Sequence, residues 1–307
     1  MNTDFFNNKR IFISGGTGFF GKSILDMIDR GFFQHSSFTI LSRNPEQFKN
    51  AYPRFAALKN VDFIAGDVCN FPFPEQDFDY IIHAATPAVT TLAPGEMSKI
   101  ILGGMHHILD MARRCTSARL LFTSSGAVYG VQEPDCLNIS EEHDCRPLTE
   151  YGIAKLEAEN MCRFSQVDTV IARCFAFVGP HLNKNIHFAI GNFMRDASLR
   201  NDIIIQGDGT PFRSYLYADD LVEWLFAILQ KGETMRPYNV GSPYGLSISD
   251  LANTVAGVFS PRPAVKIMMP PVQGLAPSRY VPDVSRITGE LGVSIKTELV
   301  EAIKKSL

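Results

Sequence analysis

The chain has 307 residues, of which 45% are hydrophobic and 20% are charged. This length accommodates one large or two ordinary domains, and the composition excludes the charge-rich class of proteins that stays disordered. The 29 basic and 32 acidic residues leave a net charge of −3, which argues against a nucleic-acid binder and against a basic protein of the membrane surface.

The six cysteines are spread along the chain without a CxxC pair or a zinc-like Cys/His spacing. We therefore expect reduced thiols and no metal site. No stretch approaches the roughly 18 uninterrupted apolar residues that a membrane-spanning helix needs. Residues 11–20 imitate a signal-peptide core, but the run contains three glycines and no cleavage site follows it. We predict a cytoplasmic protein that binds neither membranes nor nucleic acid.

In the first half of the chain, short apolar runs alternate with amphipathic stretches, which is typical of strands separated by crossover helices. The predicted strands are residues 10–14, 38–41, 61–65, 80–83, 119–123 and 169–172. The predicted helices between them are residues 20–29, 45–58, 97–114 and 151–164. This alternation predicts an α/β fold with a doubly wound parallel sheet and right-handed crossovers.

After about residue 180 the pattern becomes less regular. Two further helices are predicted, at residues 186–199 and 219–229, and a proline-rich stretch covers residues 261–282. Ser247 followed by Asp250 predicts a capping box at the start of another helix. We interpret this half as a smaller α/β portion stacked on the strand ends.

A glycine-rich turn, GGTGFFG, joins the first predicted strand to the first helix. Gly15 permits the tight turn, Gly18 lets the backbone approach a pyrophosphate, and Gly21 lets the helix pack on the strand. The phosphates would then bind the free N–H groups at the helix start. The predicted dinucleotide contacts in this turn are Gly15, Thr17, Gly18, Phe19, Phe20 and Gly21.

Two other interpretations of this turn rank below a dinucleotide site. Residues 16–23 also match the P-loop expression GxxxxGKS, but the rest of the chain lacks the features of a nucleotide triphosphatase. A plain flexible turn is the other alternative. The strand, turn and helix context favours the dinucleotide over both.

The second strand ends at Ser42 and Arg43, with no carboxylate for the adenosine ribose of NAD. Arg43 could pair with a 2′-phosphate or stack on adenine, which makes NADP the alternative cofactor, and a plain surface arginine is the other interpretation. Further cofactor contacts are predicted where the next two strands end, at Asp67, Val68, Ala84 and Ala85.

Tyr151 and Lys155 are four residues apart on a predicted helix, so their side chains share one face. A YxxxK spacing alone decides nothing, but an upstream strand runs into TSSGAVYG and places Ser124 and Ser125 at its carboxyl end. Open α/β sheets bind ligands at that edge. An adjacent ammonium favours the phenolate of a tyrosine.

These motifs resemble the extended short-chain dehydrogenase/reductase superfamily, specifically its NAD-dependent nucleotide-sugar epimerase/dehydratase family. The resemblance covers nearly the whole chain. Its marks are GGTGFFG at 15–21, HAAT at 83–86, TSSGAVYG at 123–130, YGIAK at 151–155, RCFAFVGP at 173–180, GDGTPFRSYLYADDL at 207–221 and YNVGS at 238–242. It implies an NAD(P)-binding Rossmann-type domain in residues 1–180. Residues 181–307 would mainly form the smaller substrate-binding portion, with some segments returning to the first domain.

The resemblance also implies roles for the central residues. Tyr151 would take the proton of a sugar hydroxyl while hydride moves from that carbon to the nicotinamide. Lys155 would tune Tyr151 and hold the nicotinamide ribose. Ser125, with Ser124 as the alternative, would hydrogen-bond the reacting oxygen. Thr86, Ser124, Tyr151 and Lys155 join the predicted cofactor contacts.

A nucleotide-diphosphate sugar is the implied substrate. Arg213 and Arg279 are candidates for charge-assisted bonds to its phosphates, although either could be a surface residue. Asn192 would contact the substrate too, as would Thr86 and Ser125. Because helices 97–114 and 151–164 resemble the pair that forms the family's dimer interface, we expect a homodimer.

The residues after Ser125 bear on the reaction. Dehydratases of this branch follow the active-site hydroxyl with an Asp-Glu pair, and the related decarboxylases keep a Glu there. Gly126 and Ala127 occupy these positions here. We therefore predict an epimerase that acts through a transient keto-sugar. An NADPH-dependent reductase of a nucleotide-linked keto-sugar is the close alternative. A dehydratase and a non-catalytic dinucleotide sensor rank lower, since sensors of this type lose the tyrosine or the lysine.

Overall fold

A computed structural model describes residues 3–87, 92–184 and 188–307. The strands in chain order are β1 (Arg10–Ser14), β2 (Ser37–Ser42), β3 (Val61–Ala65), β4 (Tyr80–His83), β5 (Arg119–Ser125), β6 (Thr169–Cys174), β7 (Phe177–Val178), β8 (Ile203–Ile205), β9 (Phe212–Arg213), β10 (Leu216–Tyr217), β11 (Pro237–Val240), β12 (Leu246–Ser247), β13 (Val265–Ile267) and β14 (Arg279–Tyr280). The helices are α1 (Phe19–Asp29), α2 (Pro45–Ala51), α3 (Pro53–Ala56), α4 (Glu96–Arg114), α5 (Glu150–Phe164), α6 (Ala189–Ser198), α7 (Ala218–Lys231), α8 (Ile248–Ala256), α9 (Ser285–Leu291) and α10 (Leu299–Lys305).

The main sheet has seven parallel strands in the order β11-β6-β5-β4-β1-β2-β3. The chain runs outwards from β1 to β3, returns to β4 beside β1, and continues outwards on the other side. Strand order therefore reverses between β1 and β4, which is where doubly wound sheets bind ligands. The predicted Rossmann-type α/β fold is confirmed.

The two faces of the sheet pack against different helices. Ile11 and Ile13 of β1 join a core with residues of α1 and α7, whereas Phe12 between them joins a core with residues of α4 and α5. Successive side chains of a strand point to opposite faces, so a strand that is buried on both faces has an uninterrupted apolar sequence.

The predicted bounds of β1, β3 and β4 agree with the structure at both ends. The single helix predicted over residues 45–58 is wrong, because Pro53 divides it into α2 and α3. Tyr52 before it has φ −133° and ψ 67°, outside the helical region, as expected for a residue that precedes proline. The helix predicted from residue 186 begins at Ala189 in the described residues, since residues 185–187 lie outside them.

The smaller portion carries a three-stranded sheet, β12-β9-β14, and a pair, β13-β8. A separate apolar core joins α6, α8 and α10. The predicted helix start is confirmed, with Ser247 as the N-cap of α8, because the backbone N–H of Asp250 donates to Ser247 Oγ at 3.0 Å. β11 lies beyond residue 180 yet extends the main sheet beside β6, and the domain boundary at residue 180 stays a prediction. No helix in the described part of the chain is long and apolar enough to span a bilayer.

Candidate active site

The glycine-rich turn lies where the strand order reverses. Gly15 has φ +75°, and a Cβ there would lie 2.5 Å from the backbone carbon of Ala84. A Cβ on Gly21 would lie 2.1 Å from Gly16 Cα, and one on Gly16 would lie 2.4 Å from Ile40 Cγ2. The glycines of the turn thus allow β1, α1 and the segment after β4 to pack so closely that no side chain would fit between them. Sequence reasoning gave no role to Gly16.

This turn fits a dinucleotide and not a P-loop. Ser23, the hydroxyl that a P-loop needs for its metal, is buried in α1 and donates to Phe19 O at 2.8 Å. Lys22 reaches Tyr52, whose hydroxyl is 3.3 Å from Nζ. Gly18 is the N-cap of α1, so the first N–H groups of this helix form an anion site without either side chain.

The outer cofactor candidates lie at neighbouring strand ends. Ser42 is buried at the end of β2, and its hydroxyl accepts from Asn44 N at 3.3 Å. Arg43 is exposed and has no hydrogen bond or ion pair within the described ranges. After β3, the carboxylate of Asp67 accepts from Cys69 N at 3.0 Å. Val68 is buried against α4 beside Gly104.

Two aromatic residues of the turn have a packing role. The ring of Phe19 lies 6.3 Å from that of Phe177, and the ring of Phe20 lies 5.3 Å from it. Thr17 is partly exposed before the start of α1. Ala84 follows β4, and its N–H donates to Ser14 O at 3.1 Å. The contacts of Thr17, Phe19, Phe20, Ala84 and Ala85 with a cofactor stay predictions.

The predicted Ser, Tyr and Lys residues do converge. Lys155 is buried on α5, and its Nζ donates to Thr86 Oγ1 and to Thr123 O, both at 2.8 Å. The same Nζ is 5.8 Å from the centre of the Tyr151 ring. Ser125, at the end of β5, accepts from Ala127 N at 3.1 Å, and its side chain is close enough to Tyr151 to lower the pKa of that tyrosine.

Two local features place α5 against β5. Thr149 caps the helix, because its hydroxyl accepts from Gly152 N at 3.1 Å. A Cβ on Gly152 would lie 2.6 Å from Ala127 O, so glycine allows the start of α5 to approach the turn after Ser125. The helix therefore presents Tyr151 directly to that serine.

Burial favours the uncharged forms of both central groups. It raises the pKa of Tyr151 to about 12, although the hydrogen bond with Ser125 opposes the shift. It lowers the pKa of Lys155 to about 8. A positive charge bound nearby would favour the phenolate of Tyr151, so this candidate base needs such a charge in order to act near neutral pH.

A buried ionic network lies beneath the two serines. Ser124 donates to Glu159 at 2.5 Å, and Glu159 pairs with Arg173 at 2.8 Å. Arg173 also bonds the hydroxyl of Tyr129, which donates to Asn239. The Ser124 hydroxyl is thus engaged away from Tyr151, and Ser125 is the serine beside it. Sequence reasoning missed this network, because a carboxylate on a helix ordinarily indicates a solvated face.

A model of the NAD dependent epimerase/dehydratase family matches residues 11–241. The chain belongs to this family. It is therefore an NAD-dependent enzyme of the epimerase/dehydratase type, and NAD is its cofactor. The resemblance inferred from the sequence motifs is confirmed.

The chain has relatives in sequence, and similar solved structures, along almost its full length. UDP-glucuronic acid decarboxylase 6 of Arabidopsis thaliana is 29% identical over 313 residues, which cover 98% of this chain and 89% of that protein. UDP-N-acetylglucosamine 4-epimerase of Methanobrevibacter ruminantium M1 has a TM-score of 0.84 at 19% identity and covers 98% of this chain and 97% of its own. UDP-glucuronic acid 4-epimerase of Bacillus cereus has a TM-score of 0.83 at 20% identity, with 97% of each chain covered. At such identities the structural likeness shows the fold alone.

The predicted substrate residues of this epimerase/dehydratase family member are only partly brought together. Arg213 on β9 stands opposite Tyr280 of β14, and Tyr280 lies at Ser125. Arg279 points to the other face of β14, where its guanidinium stacks 4.1 Å from the ring centre of Phe212.

The remaining candidates stay predictions as well. Asn192 lies in α6 and accepts from Arg195 at 3.4 Å. Thr86 accepts from Lys155, so its hydroxyl has a structural partner in the absence of a ligand. Across the described residues, no cluster of three or more His, Cys, Asp or Glu side chains could hold a metal ion.

Proposed function

We propose that the protein is an NAD-dependent epimerase of nucleotide-diphosphate sugars that acts through hydride transfer and a transient keto-sugar. The observation that carries the proposal is the convergence of Ser125, Tyr151 and Lys155. Gly126 and Ala127 directly follow Ser125 in the sequence. Dehydration and decarboxylation in this branch use a carboxylate at those two positions, and this chain has none there.

The chain's own residues supply the proton chemistry. Tyr151 takes the proton of the sugar hydroxyl and returns it after the keto-sugar has rotated in the site to present its other face. Lys155, held by Thr86 and Thr123, places an ammonium where it favours the tyrosine phenolate. Ser125 donates to the reacting oxygen and holds it near Tyr151. Bound NAD would supply the reversible acceptor for hydride, and the turn at Gly15 would hold its pyrophosphate.

Several features support a nucleotide sugar as substrate. The relatives named above are enzymes of UDP-glucuronic acid and UDP-N-acetylglucosamine. Arg213 places its guanidinium on the same face of the small sheet as Tyr280, and a guanidinium there suits the binding of a diphosphate. We also propose a cytoplasmic homodimer in which α4 and α5, which pack side by side, form the interface.

A reductase of a keto-sugar is the second candidate, and Arg43 is the observation that favours it. The end of β2 carries this exposed, unpaired arginine within the described residues and no carboxylate for the ribose. Such an end would accept the 2′-phosphate of NADPH. In a reductase the dinucleotide exchanges at each turnover, whereas an epimerase retains and recycles it.

The first experiment identifies the nucleotide that the purified protein releases on denaturation, using mass spectrometry. Released NAD(H) is the expected result, and an empty site that takes up NADPH would favour the reductase. The second incubates the protein with a panel of UDP and dTDP sugars and detects inverted sugars by NMR. Tyr151→Phe should abolish turnover and retain NAD. Tyr238→Phe, which removes a tyrosine hydroxyl bonded to Glu290, should do neither.

A further inference from the structure

Tyr280 lies at the active site although it is 155 residues from Ser125 in sequence. Its phenol oxygen is 3.5 Å from Ser125 Oγ and 3.5 Å from Cys174 O. Both distances exceed the range of about 2.5–3.0 Å for a well-formed O–H···O bond. Tyr280 is a partly exposed residue, and within the described residues its hydroxyl has no closer partner, so its proton is available to a ligand.

The same residue occupies the space beside Gly126. A Cβ at residue 126 would lie 2.8 Å from the Tyr280 oxygen and 2.7 Å from Phe175 Cζ. The rings of Tyr280 and Phe175 pack with their centres 4.7 Å apart. A phenol and a phenyl ring therefore fill the place into which any longer side chain after Ser125 would extend.

The smaller portion of the fold delivers this hydroxyl. Tyr280 belongs to β14, which pairs with β9 so that Tyr280 stands opposite Arg213. Burial raises the pKa of Tyr280, although the interaction with Ser125 and, to a smaller extent, the Arg213 cation lower it in part. Tyr280 consequently remains a neutral O–H donor at the pH values at which Tyr151 must act as a base. Two tyrosines at one serine can thus have different roles.

We infer that Tyr280 is a substrate-contacting residue, whose hydroxyl donates to a sugar oxygen next to the one that Tyr151 deprotonates. Together with Phe175, Tyr280 also fills the space that a carboxylate side chain at residue 126 would need. The recognised group is a hydrogen-bond acceptor on the sugar ring, such as a second hydroxyl. This inference rests on the proposed epimerase function and adds the residue that orients the sugar.

The test compares Tyr280→Phe with the wild-type protein on the nucleotide sugar that the panel identifies. The variant keeps the ring and its packing against Phe175 and loses only the hydroxyl. We expect kcat/KM to fall about tenfold, the effect of one lost hydrogen bond, while NAD content and the unfolding midpoint stay unchanged. Tyr238→Phe, the matched tyrosine outside the site, should retain wild-type kcat/KM within about twofold.

Deoxy analogues of the sugar distinguish contact from a structural role. For the analogue that lacks the contacted hydroxyl, wild-type protein and Tyr280→Phe should have equal kcat/KM. Equal activity of the two proteins on the complete sugar would overturn the inference and leave the proposed function intact. A loss that persists with every deoxy analogue would also overturn it. If the wild-type protein converts no nucleotide sugar, the proposed function fails and the inference fails with it.

Discussion

Lys155 Nζ lies 5.8 Å from the centre of the Tyr151 ring, and both side chains project from one face of α5. Burial lowers the pKa of the lysine to about 8 and raises that of the tyrosine to about 12. The pair is therefore adjusted by its environment in the direction opposite to the one that catalysis needs. In the proposed mechanism, the activity of Tyr151 as a base therefore depends on the positive charges of Lys155 and of the bound cofactor.

Lys155→Met should lower kcat by about 100-fold, within the range for loss of effective acid-base catalysis. In the proposed mechanism Tyr151 acts as the phenolate, so kcat of the wild-type protein should rise with pH through the pKa of that tyrosine in the loaded enzyme. Removing the ammonium raises this pKa, and the rise in kcat should move to higher pH. Stopped assays between about pH 6 and pH 10 would measure this shift in the pH profile, because Lys and Tyr titrate above neutrality. Lys231→Met, on an exposed helix end, is the control, and an unchanged pH profile in Lys155→Met would contradict the assigned role.

Arg43→Ala separates the two proposed roles of Arg43, which are contact with a 2′-phosphate and stacking on adenine. If Arg43 meets the 2′-phosphate, the variant should bind NADP about tenfold more weakly, as expected for one charge-assisted contact, and change its affinity for NAD by less than about threefold. Titration calorimetry with each dinucleotide would measure both constants. Equal losses for NAD and NADP would indicate that the guanidinium stacks on adenine instead.

Gly21→Ala should destabilise the protein and weaken NAD binding, because the new Cβ would lie 2.1 Å from Gly16 Cα. We expect the free energy of unfolding to fall by more than about 2 kcal/mol. Gly289→Ala is the matched control, since it also lies in a helix and a Cβ there meets nothing within 4 Å. That variant should gain about 0.5–1 kcal/mol from helix propensity. Urea unfolding compares the two, and a destabilisation of the same size at both glycines would refute the packing argument.

His83 should make the protein sensitive to acid. Its ring is buried with Nδ1 2.7 Å from Ser14 Oγ, and burial, with help from the Lys155 charge, lowers its pKa from 6.5 to about 3. The unfolded chain binds this proton below about pH 6.5, while the folded chain does so only near pH 3, so stability falls as pH falls between these values.

His83→Asn removes that titration. Between pH 7 and pH 4, the free energy of unfolding of the wild-type protein should fall by about 3 kcal/mol more than that of the variant. The exposed His35 provides the control, because His35→Asn should keep the wild-type slope. Parallel slopes for wild type and His83→Asn would show that His83 is not held neutral.

The sequence alone determined the fold class, several strand bounds and the central residues of the candidate site. These features depend on local chemistry. β1 is a largely apolar run that ends at Ser14, directly before Gly15 with its φ of +75°, and helical spacing puts Tyr151 and Lys155 on one face. The topology rule for parallel sheets then places Ser125 and the glycine turn at the same edge.

Only the tertiary structure decided which side chains meet across long sequence separations. The Glu159–Arg173 pair, which is fully enclosed, and Tyr280 beside Ser125 are both consequences of packing. A two-residue strand such as β14 has too few residues for a periodic signal. Its pairing with β9 decides to which side of the sheet Tyr280 points. Local patterns specify where a strand or helix begins and which face is apolar, whereas contacts between distant segments depend on how those faces pack together.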